Sequence, residues 1–277
     1  MQLKDFVPPI LIRVIRVIRK TNALDSKLYG SYQEAALACS TYGYEQQALV
    51  NVVFEKTKRY RDLLHGQKPL EIDLTNVRTP IGLSLAIRYV ANEMRVIDFG
   101  GACGAHYFIA KALFAERIKL RWYVVETSAM ARKGKELEND ELRFFDDLSV
   151  AKTKIGEPDL VFSSGTLQYV PDPYMTLKDL TQCSARYIFL TRWGLTTGDK
   201  ELVCVQEAKL SWNGPGPLPD GMADGVTRYP MTAARKDKVE QILKERYEIR
   251  MQFNEDKEAY RMDRHRVDMY GYFGEAR

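Results

Sequence analysis

An acidic residue beside a cluster of glycines is the first candidate for chemistry in this 277-residue sequence. Asp98 follows an apolar run at residues 94–97 and precedes Gly100, Gly101 and Gly104. A short apolar run bounded by a turn predicts a buried parallel strand. Glycines let the backbone approach a ligand closely, and ligands bind at the carboxyl edge of parallel sheets. The stretch therefore predicts a strand, a ligand-binding turn and a following helix.

The glycine spacing argues against a dinucleotide. The fingerprint G-x-G-x-x-G would need glycines at 102 and 105, and both positions are alanine. An acid two residues before the first glycine would repel a pyrophosphate, but it suits a cationic nucleoside such as S-adenosylmethionine. The stretch resembles motif I of the class I methyltransferases, D-x-G-x-G-x-G, with Ala102 replacing one glycine. The alternative is a turn that binds no ligand.

A second acid ends the next predicted strand. Glu126 follows the apolar residues 120–125. In a doubly wound sheet such a carboxylate reaches the ribose of a bound nucleoside and accepts hydrogen bonds from both hydroxyls; the alternative is a solvated strand end. A third strand begins at residue 142 and ends at Asp146 and Asp147, which would receive the adenine amino group or cap the next helix.

Residues 158–173 predict a fourth strand and a loop that includes Ser163, Gln168 and Tyr169. The stretch resembles the class I methyltransferase pattern in which small polar residues are followed by L-[HQ]-[YH] and a D-P turn. The resemblance implies that this loop closes beside the sulfonium of the cofactor.

Methyl transfer to a hydroxyl would need a proton acceptor. His106 follows the glycine turn and is one candidate for a general base, the alternative being a partly exposed histidine at a helix start. Tyr169, Arg192, Trp193 and Tyr229 are further loop candidates for shaping an acceptor pocket.

The composition excludes several classes of protein. A net charge of +4 does not fit a bulk nucleic-acid binder. The four cysteines are far apart without a C-x-x-C pair, and the three histidines share no metal-ligand spacing, so we expect a cytoplasmic protein without disulfides or a metal.

The order of predicted elements indicates three parts. Residues 1–22 form an amphipathic basic segment, residues 23–93 a helical extension, and residues 94–277 a Rossmann-like domain with an inserted loop at 193–230. Within the first part, residues 6–20 place bases on one side of an apolar helix. This pattern fits peripheral membrane contact or, equally, packing on the domain. The inserted loop is rich in turn formers and predicts a substrate lid or a plain surface loop.

Several short stretches together resemble one methyltransferase family found among bacterial cell-surface polysaccharide biosynthesis proteins. Its pattern is matched by GSY and EAA near residue 30, YGY at 42–44, DFGG at 98–101, VVE at 124–126, LRF at 142–144 and LQYVPDP at 167–173. The family implies a seven-stranded, Rossmann-like class I methyltransferase sheet that uses S-adenosylmethionine.

The leading hypothesis is therefore a methyltransferase acting on a sugar or other small acceptor, such as a glycan. The residues expected to bind the cofactor are Asp98, Gly100, Gly101, Gly104, Glu126, Asp146, Asp147, Ser163 and Gln168. The alternatives are another nucleoside-cofactor enzyme, such as an NAD-type oxidoreductase, and a non-catalytic partner with this fold in a membrane-associated complex. The acceptor itself is not evident from the sequence.

Overall fold

The computed structural model describes residues 27–39, 43–66, 72, 76–87, 90 and 92–277. The predicted amphipathic helix at residues 6–20 lies outside this range. None of the helices in the described ranges is both long enough and apolar enough to cross a membrane.

Within the part of the chain that the structure describes, three α-helices precede the sheet: α1 (Tyr32–Ala38), α2 (Gln47–Gly66) and α3 (Arg78–Ile87). Ser31 is the N-cap of α1, and Glu34 lies in the first turn of this helix. The Ser31 hydroxyl oxygen accepts the Glu34 N–H at 3.1 Å, and the Glu34 carboxylate accepts the Gly30 N–H at 2.8 Å. The first of these bonds satisfies a donor that the first helical turn leaves unpaired. A 3-10 turn at Gly43–Glu45 lies between α1 and α2.

Strands and helices alternate from residue 93 onward. The strands are β1 (Glu93–Phe99), β2 (Lys119–Val125), β3 (Leu142–Phe145), β4 (Leu160–Ser164), β5 (Tyr187–Thr196), β6 (Leu202–Lys209), β7 (Val226–Arg235), β8 (Tyr247–Met262) and β9 (His265–Ala276). The helices are α4 (Ala105–Phe114), α5 (Ser128–Gly134), α6 (Leu148–Ile155), α7 (Pro173–Thr181) and α8 (Lys236–Arg246).

The central strands are parallel and lie in the order β3-β2-β1-β4-β5. Beyond β5 the sheet continues with β9 and β8, and β9 is antiparallel to both of its neighbours. This arrangement of seven strands, with helices on both faces, is the Rossmann-like class I methyltransferase sheet, so the predicted fold class is confirmed. The strand order reverses between β1 and β4, where parallel sheets open a crevice for ligands.

An extra hairpin departs from the predicted pattern. The sequence predicts a loop over residues 193–230, but β5 extends to Thr196, and β6 and β7 pair antiparallel from Leu202 opposite Ala233 to Lys209 opposite Val226. The residues between the two strands are rich in turn formers, which favour the prediction of a loop. Because β6 is buried for most of its length, its sequence lacks the alternation of apolar and polar residues that predicts a half-buried strand. Residues 232–235 complete β7, and the helix α8 follows directly from Lys236.

Alternate side chains of the central strands pack on opposite faces of the sheet. Val96 and Phe162 belong to the cluster under α2–α5, whereas Ile97 and Val161 belong to the cluster under α6–α8. All four side chains are fully buried. Burial of each such side chain contributes about 1.5–3 kcal/mol, so the two clusters hold the strand ends in fixed positions.

Candidate functional site

A cavity of about 410 Å³ opens at the carboxyl edge of the sheet, where β1, β2, β4 and β5 end. Small-molecule sites usually measure about 300–1,000 Å³, so the cavity is large enough for a nucleoside. Its lining combines the glycine turn, the end of β2, the loop after β4 and the turn of the inserted hairpin. The lining residues are Tyr44, Val53, Thr57, Asn76, Gly100, Gly101, Ala102, Ala105, His106, Glu126, Thr127, Met130, Ser164, Gly165, Thr166, Tyr169, Val170, Arg192 and residues 212–216.

The glycine turn forms the floor of this cavity in a conformation that side chains would obstruct. Gly100 has φ +74°, and a Cβ there would lie 2.0 Å from the Thr166 hydroxyl oxygen. A Cβ on Gly101 would lie 2.4 Å from a carboxylate oxygen of Asp98. The turn therefore brings bare backbone to the cavity.

Ala102 occupies the place where the methyltransferase motif has its second glycine. Its φ is +50°, in the left-handed region that side chains with a Cβ adopt at a cost of about 1–2 kcal/mol. The geometry that usually requires glycine is thus kept in this chain without the glycine. Backbone strain of this kind is characteristic of ligand sites.

Glu126 follows β2 and lines the cavity beside this strained turn. One carboxylate oxygen accepts the N–H of Ala102 at 3.0 Å, and the other accepts the N–H of Thr127 at 2.9 Å. Burial raises the pKa of the Glu126 carboxyl, an effect that these two N–H groups oppose and the charge of Asp98 reinforces. Because each oxygen retains a free lone pair, the group can accept two further hydrogen bonds from a ligand.

Asp98 lies beneath the turn rather than on the cavity wall, with no solvent exposure. One of its oxygens accepts the indole N–H of Trp122 at 3.0 Å. The same oxygen lies 3.1 Å from Nδ1 of His106, whose ring borders the cavity. The buried carboxylate therefore orients His106, as a carboxylate does in an acid–histidine pair.

Three tyrosines pack against one another beside the cavity, and two of them, Tyr44 and Tyr169, line it. The Tyr44 ring centroid lies 5.5 Å from that of Tyr169 and 4.8 Å from that of Tyr229, and the last two are 5.1 Å apart. Burial raises the hydroxyl pKa of all three, so they remain neutral hydrogen-bonding groups. Tyr169 also donates a hydrogen bond to the Gln206 side chain on β6 at 2.8 Å, which connects the cluster to the inserted hairpin.

The turn of the hairpin covers the cavity and is attached to α2. Lys56 is buried, and its ammonium group donates to the Ser211 carbonyl at 2.7 Å. The Asp224 carboxylate accepts from the N–H of Ser211 at 3.0 Å and from its hydroxyl at 2.8 Å. Gly214 packs against Val53 of α2. These contacts hold residues 212–216 over the opening.

The predicted site residues fall into two groups. Gly100, Gly101 and Glu126, together with His106 and Tyr169, line one cavity. The remaining predicted residues do not line it.

The residues of the second group occupy other positions in the structure. Gly104 precedes α4 in a left-handed conformation, and Asp147 caps α6 by accepting the Val150 N–H at 2.9 Å. Asp146 is exposed and accepts from the Ser128 hydroxyl at 3.0 Å, and the Ser163 hydroxyl donates to the Phe99 carbonyl at 2.9 Å. Gln168 is buried in the turn after β4 with its amide oxygen unpaired. Asp98, already described, supports the turn from below.

Several residues that line the cavity were not predicted from the sequence. Thr57 of α2, Asn76 before α3 and Thr166 after β4 belong to no recognisable motif, because tertiary packing alone brings these polar residues to the cavity. Trp193, predicted to shape the acceptor pocket, is buried in β5 away from the cavity, whereas Arg192 beside it lines the cavity. In the described ranges no group of three or more acidic, histidine or cysteine side chains is arranged to hold a metal ion.

Comparisons with known proteins find solved structures of low similarity to this chain. No family model and no curated protein matches the chain. An S-adenosylmethionine-dependent methyltransferase structure from Clostridium acetobutylicum ATCC 824 is 10% identical, with a TM-score of 0.46, covering 79% of this chain and 98% of its own. The N-terminal domain of EvdMO1, in the presence of SAH and D-fucose, is 19% identical with a TM-score of 0.43, covering 80% and 96%.

A third similar structure is the magnesium protoporphyrin IX methyltransferase of Synechocystis PCC 6803 with bound SAM. It is 9% identical, with a TM-score of 0.45, and the match covers 84% of this chain and 97% of that one. Likeness at this level carries no argument about activity. The assignment of the class I methyltransferase fold rests on the strand order, the antiparallel β9 and the glycine turn between β1 and α4.

Proposed function

We propose that this protein is an S-adenosylmethionine-dependent methyltransferase. The observation that carries the proposal is Glu126, a carboxylate at the end of β2 whose two oxygens are each held by a backbone N–H and still have free lone pairs. It borders a cavity floored by glycine backbone, next to the point where the strand order reverses. This arrangement suits the paired hydroxyls of a ribose, and the described residues that line the cavity include no cluster of cations for a pyrophosphate.

The residues proposed to hold the cofactor are Gly100, Gly101 and Glu126, with backbone approach at the first two and hydrogen bonding at the third. When bound, S-adenosylmethionine supplies a methyl group on a positively charged sulfur. The negative charge of Glu126, reinforced from below by Asp98, favours a cationic ligand in the cavity. The hairpin turn at residues 212–216 restricts the access of water.

His106 is the proposed proton acceptor. Its Nδ1 faces the Asp98 carboxylate at 3.1 Å, so Nδ1 carries the hydrogen and Nε2 presents a lone pair. Nε2 is on the other edge of a ring that borders the cavity, and it would take the proton of an acceptor hydroxyl. Tyr169 is proposed as part of the acceptor wall rather than as a base, because burial raises its hydroxyl pKa.

The proposed acceptor is a sugar or another small molecule in surface polysaccharide biosynthesis. The cavity volume and its tyrosine wall support a small ring-shaped acceptor, and the family resemblance of the motifs supports the polysaccharide context. Peripheral membrane contact through residues 6–20 is part of the same proposal. An apolar helix with bases on one side would hold the enzyme near membrane-assembled acceptors, while the rest of the chain stays in the cytoplasm.

The test measures binding of S-adenosylhomocysteine and of NAD by calorimetry. We expect Glu126→Ala to weaken S-adenosylhomocysteine binding by at least ~1.5 kcal/mol, the value of lost charge-assisted hydrogen bonds. Glu157→Ala, at an exposed position outside the cavity, is the matched control and should leave the affinity unchanged. Tighter binding of NAD than of S-adenosylhomocysteine, or unchanged affinity in a folded Glu126→Ala variant, would overturn the proposal. Binding without transfer to any acceptor would favour the non-catalytic alternative.

A further inference from the structure

The end of the cavity away from Glu126 carries a positive charge. Arg192 is half-buried on β5, and its guanidinium lies against the backbone of Gly165, where a Cβ would come within 3.1 Å of Cζ. Among the side chains that the structure describes, which exclude those of residues 257 and 258, no carboxylate forms an ion pair with this guanidinium. The side chains on which its charge acts are Tyr169, Tyr229 and Tyr260, whose hydroxyl pKa it lowers against a larger opposite effect of burial.

The backbone is built to present Arg192 in this position. Residue 192 has φ +58°, and the pairing of β5 with β9 is interrupted by a bulge between Leu190 and Trp193. A non-glycine residue in this conformation costs about 1–2 kcal/mol, which the surroundings must offset. A bulge of this kind re-aims a side chain, here toward the cavity.

A buried carboxylate stabilises the bulge without neutralising the guanidinium. The Glu255 side chain, 2% exposed, accepts from the backbone N–H of Arg192 and from the Thr191 hydroxyl at 2.6 Å, and it forms an ion pair with Arg78 of α3. The Arg192 backbone is therefore held by Glu255 while its charged group is left for the cavity. A cation maintained at this cost, in a cavity wall of neutral tyrosines, points to an anionic ligand.

This cation is far from the group proposed to bind the ribose. The order β2-β1-β4-β5 puts three strand intervals between the strand before Glu126 and the strand of Arg192, a separation of about 14 Å at the usual spacing. The Gly100–Ala102 turn and Thr166 lie between the two ends. One end of the cavity thus offers a hydrogen-bond acceptor for hydroxyls, and the other offers a planar pair of donors for an oxyanion.

We propose that Arg192 binds an anionic group of the methyl acceptor, a carboxylate or a phosphate monoester, and that the acceptor is therefore an acidic sugar or a similarly small acidic ring compound. Tyr44 and Tyr169, which line the cavity, form the wall against which this ring packs, and Tyr229 supports them from behind. This inference rests on the proposed methyltransferase function, since it assigns the remaining end of the same cavity.

The experiment compares three probes by ligand-observed NMR on the full-length protein saturated with S-adenosylhomocysteine: glucuronate, glucose 6-phosphate and neutral glucose. We expect at least one anionic probe to bind about tenfold or more tightly than glucose, as charge-assisted hydrogen bonds to guanidinium require. The ratio between the two anions distinguishes a carboxylate from a phosphate. Arg192→Gln should remove the preference, and Arg192→Lys should retain part of it, because lysine keeps the charge but not the planar donor pair.

Two further variants test whether the preference for anions depends on the position of the Arg192 guanidinium. Arg250→Gln removes an exposed arginine of β8 that pairs with Glu248 and Glu275 outside the cavity, and it should preserve the preference for anions. Gly165→Ala should weaken anion binding, because the added Cβ displaces the guanidinium.

Each outcome decides between the proposals. Equal binding of all three probes, no binding of either anion, or unchanged anion binding in Arg192→Gln overturns the assignment of Arg192. A loss of S-adenosylhomocysteine affinity of about tenfold in Arg192→Gln also overturns it, since the guanidinium would then hold the cofactor's own carboxylate. Failure of wild-type protein to bind S-adenosylhomocysteine refutes the proposed function instead, and the anion preference of the unliganded cavity is then measured separately.

Discussion

Replacing Gly100 with alanine tests whether the glycine turn is built around a close approach to the loop after β4. Gly100 has φ +74°, which costs a residue with a Cβ about 1–2 kcal/mol. The new Cβ would also lie 2.0 Å from the Thr166 hydroxyl oxygen and 2.3 Å from its methyl group. Overpacking of this kind costs about 1–3 kcal/mol, so we expect a total loss of roughly 2–5 kcal/mol in the free energy of unfolding.

The two contributions are separable in this chain. Gly221 has φ +80°, and a Cβ added there would have nothing within 4 Å, so Gly221→Ala should show the backbone cost alone. Thr166→Gly removes the atoms that the Cβ of residue 100 would meet, so the double variant Gly100→Ala/Thr166→Gly should recover about 1–3 kcal/mol relative to the sum of the single changes.

The assay is urea unfolding, followed by tryptophan fluorescence and extrapolated to water. S-adenosylhomocysteine binding by the folded Gly100→Ala variant should also fall, because the displaced turn lines the cavity. Two results would refute this reasoning: a loss of unfolding free energy in Gly100→Ala no larger than in Gly221→Ala, or strict additivity in the double variant. Either would show that contact with Thr166 is not the reason for glycine at position 100.

The other predictions concern backbone strain, buried charge and location. Ala102→Gly should raise the free energy of unfolding by about 0.5–1 kcal/mol, since it relieves the strain at φ +50° but increases the entropy of the unfolded chain; urea unfolding measures this. The pKa of Glu126 is raised from 4.5 by burial, so the folded state binds the extra proton and its stability should fall as pH rises from about 4.5 through the raised pKa; Glu126→Gln should flatten this part of the stability–pH curve. Asp98→Asn should lower the free energy of unfolding by about 1–3 kcal/mol and leave the Trp122 indole poorly paired, which its near-ultraviolet circular dichroism reports. The full-length chain should co-sediment with anionic vesicles at low salt, and a variant without residues 1–20 should stay in the supernatant. A full-length protein that stays in the supernatant would contradict the membrane proposal.

The sheet and the glycine turn were predictable from local sequence. Each central strand is a short apolar run that ends in a turn, and its residues are neighbours along the chain, so the periodic pattern is legible without tertiary contacts. The N-cap at Ser31 and the 3-10 turn at 43–45 are similarly local features. Glu126 was accessible to the same reasoning, because its position directly after an apolar run determines the sheet edge at which it lies.

The roles of individual acids required the structure. Asp98 and Glu126 look alike in the sequence, since each ends an apolar run. Packing separates them: Trp122 and His106 enclose Asp98 beneath the turn, whereas Glu126 reaches the cavity. Likewise, Asp147 caps α6 by accepting the Val150 N–H, which is one of the two alternatives that the sequence left open.

Sequence by itself therefore determined the order of the parallel strands and the helices between them, the sheet edge that carries the glycine turn and the class of fold, but not the β6–β7 hairpin. The predicted features depend on hydrophobic periodicity and on turn residues close together in the chain. Only the tertiary structure decided which side chains meet at that edge. The Arg192 bulge depends on Glu255, more than sixty residues away, and on its partner Arg78. The tyrosine cluster brings together Tyr44, Tyr169 and Tyr229 from three separate elements. Contacts between residues so far apart in the chain leave no periodic pattern, since they result from how buried surfaces pack together.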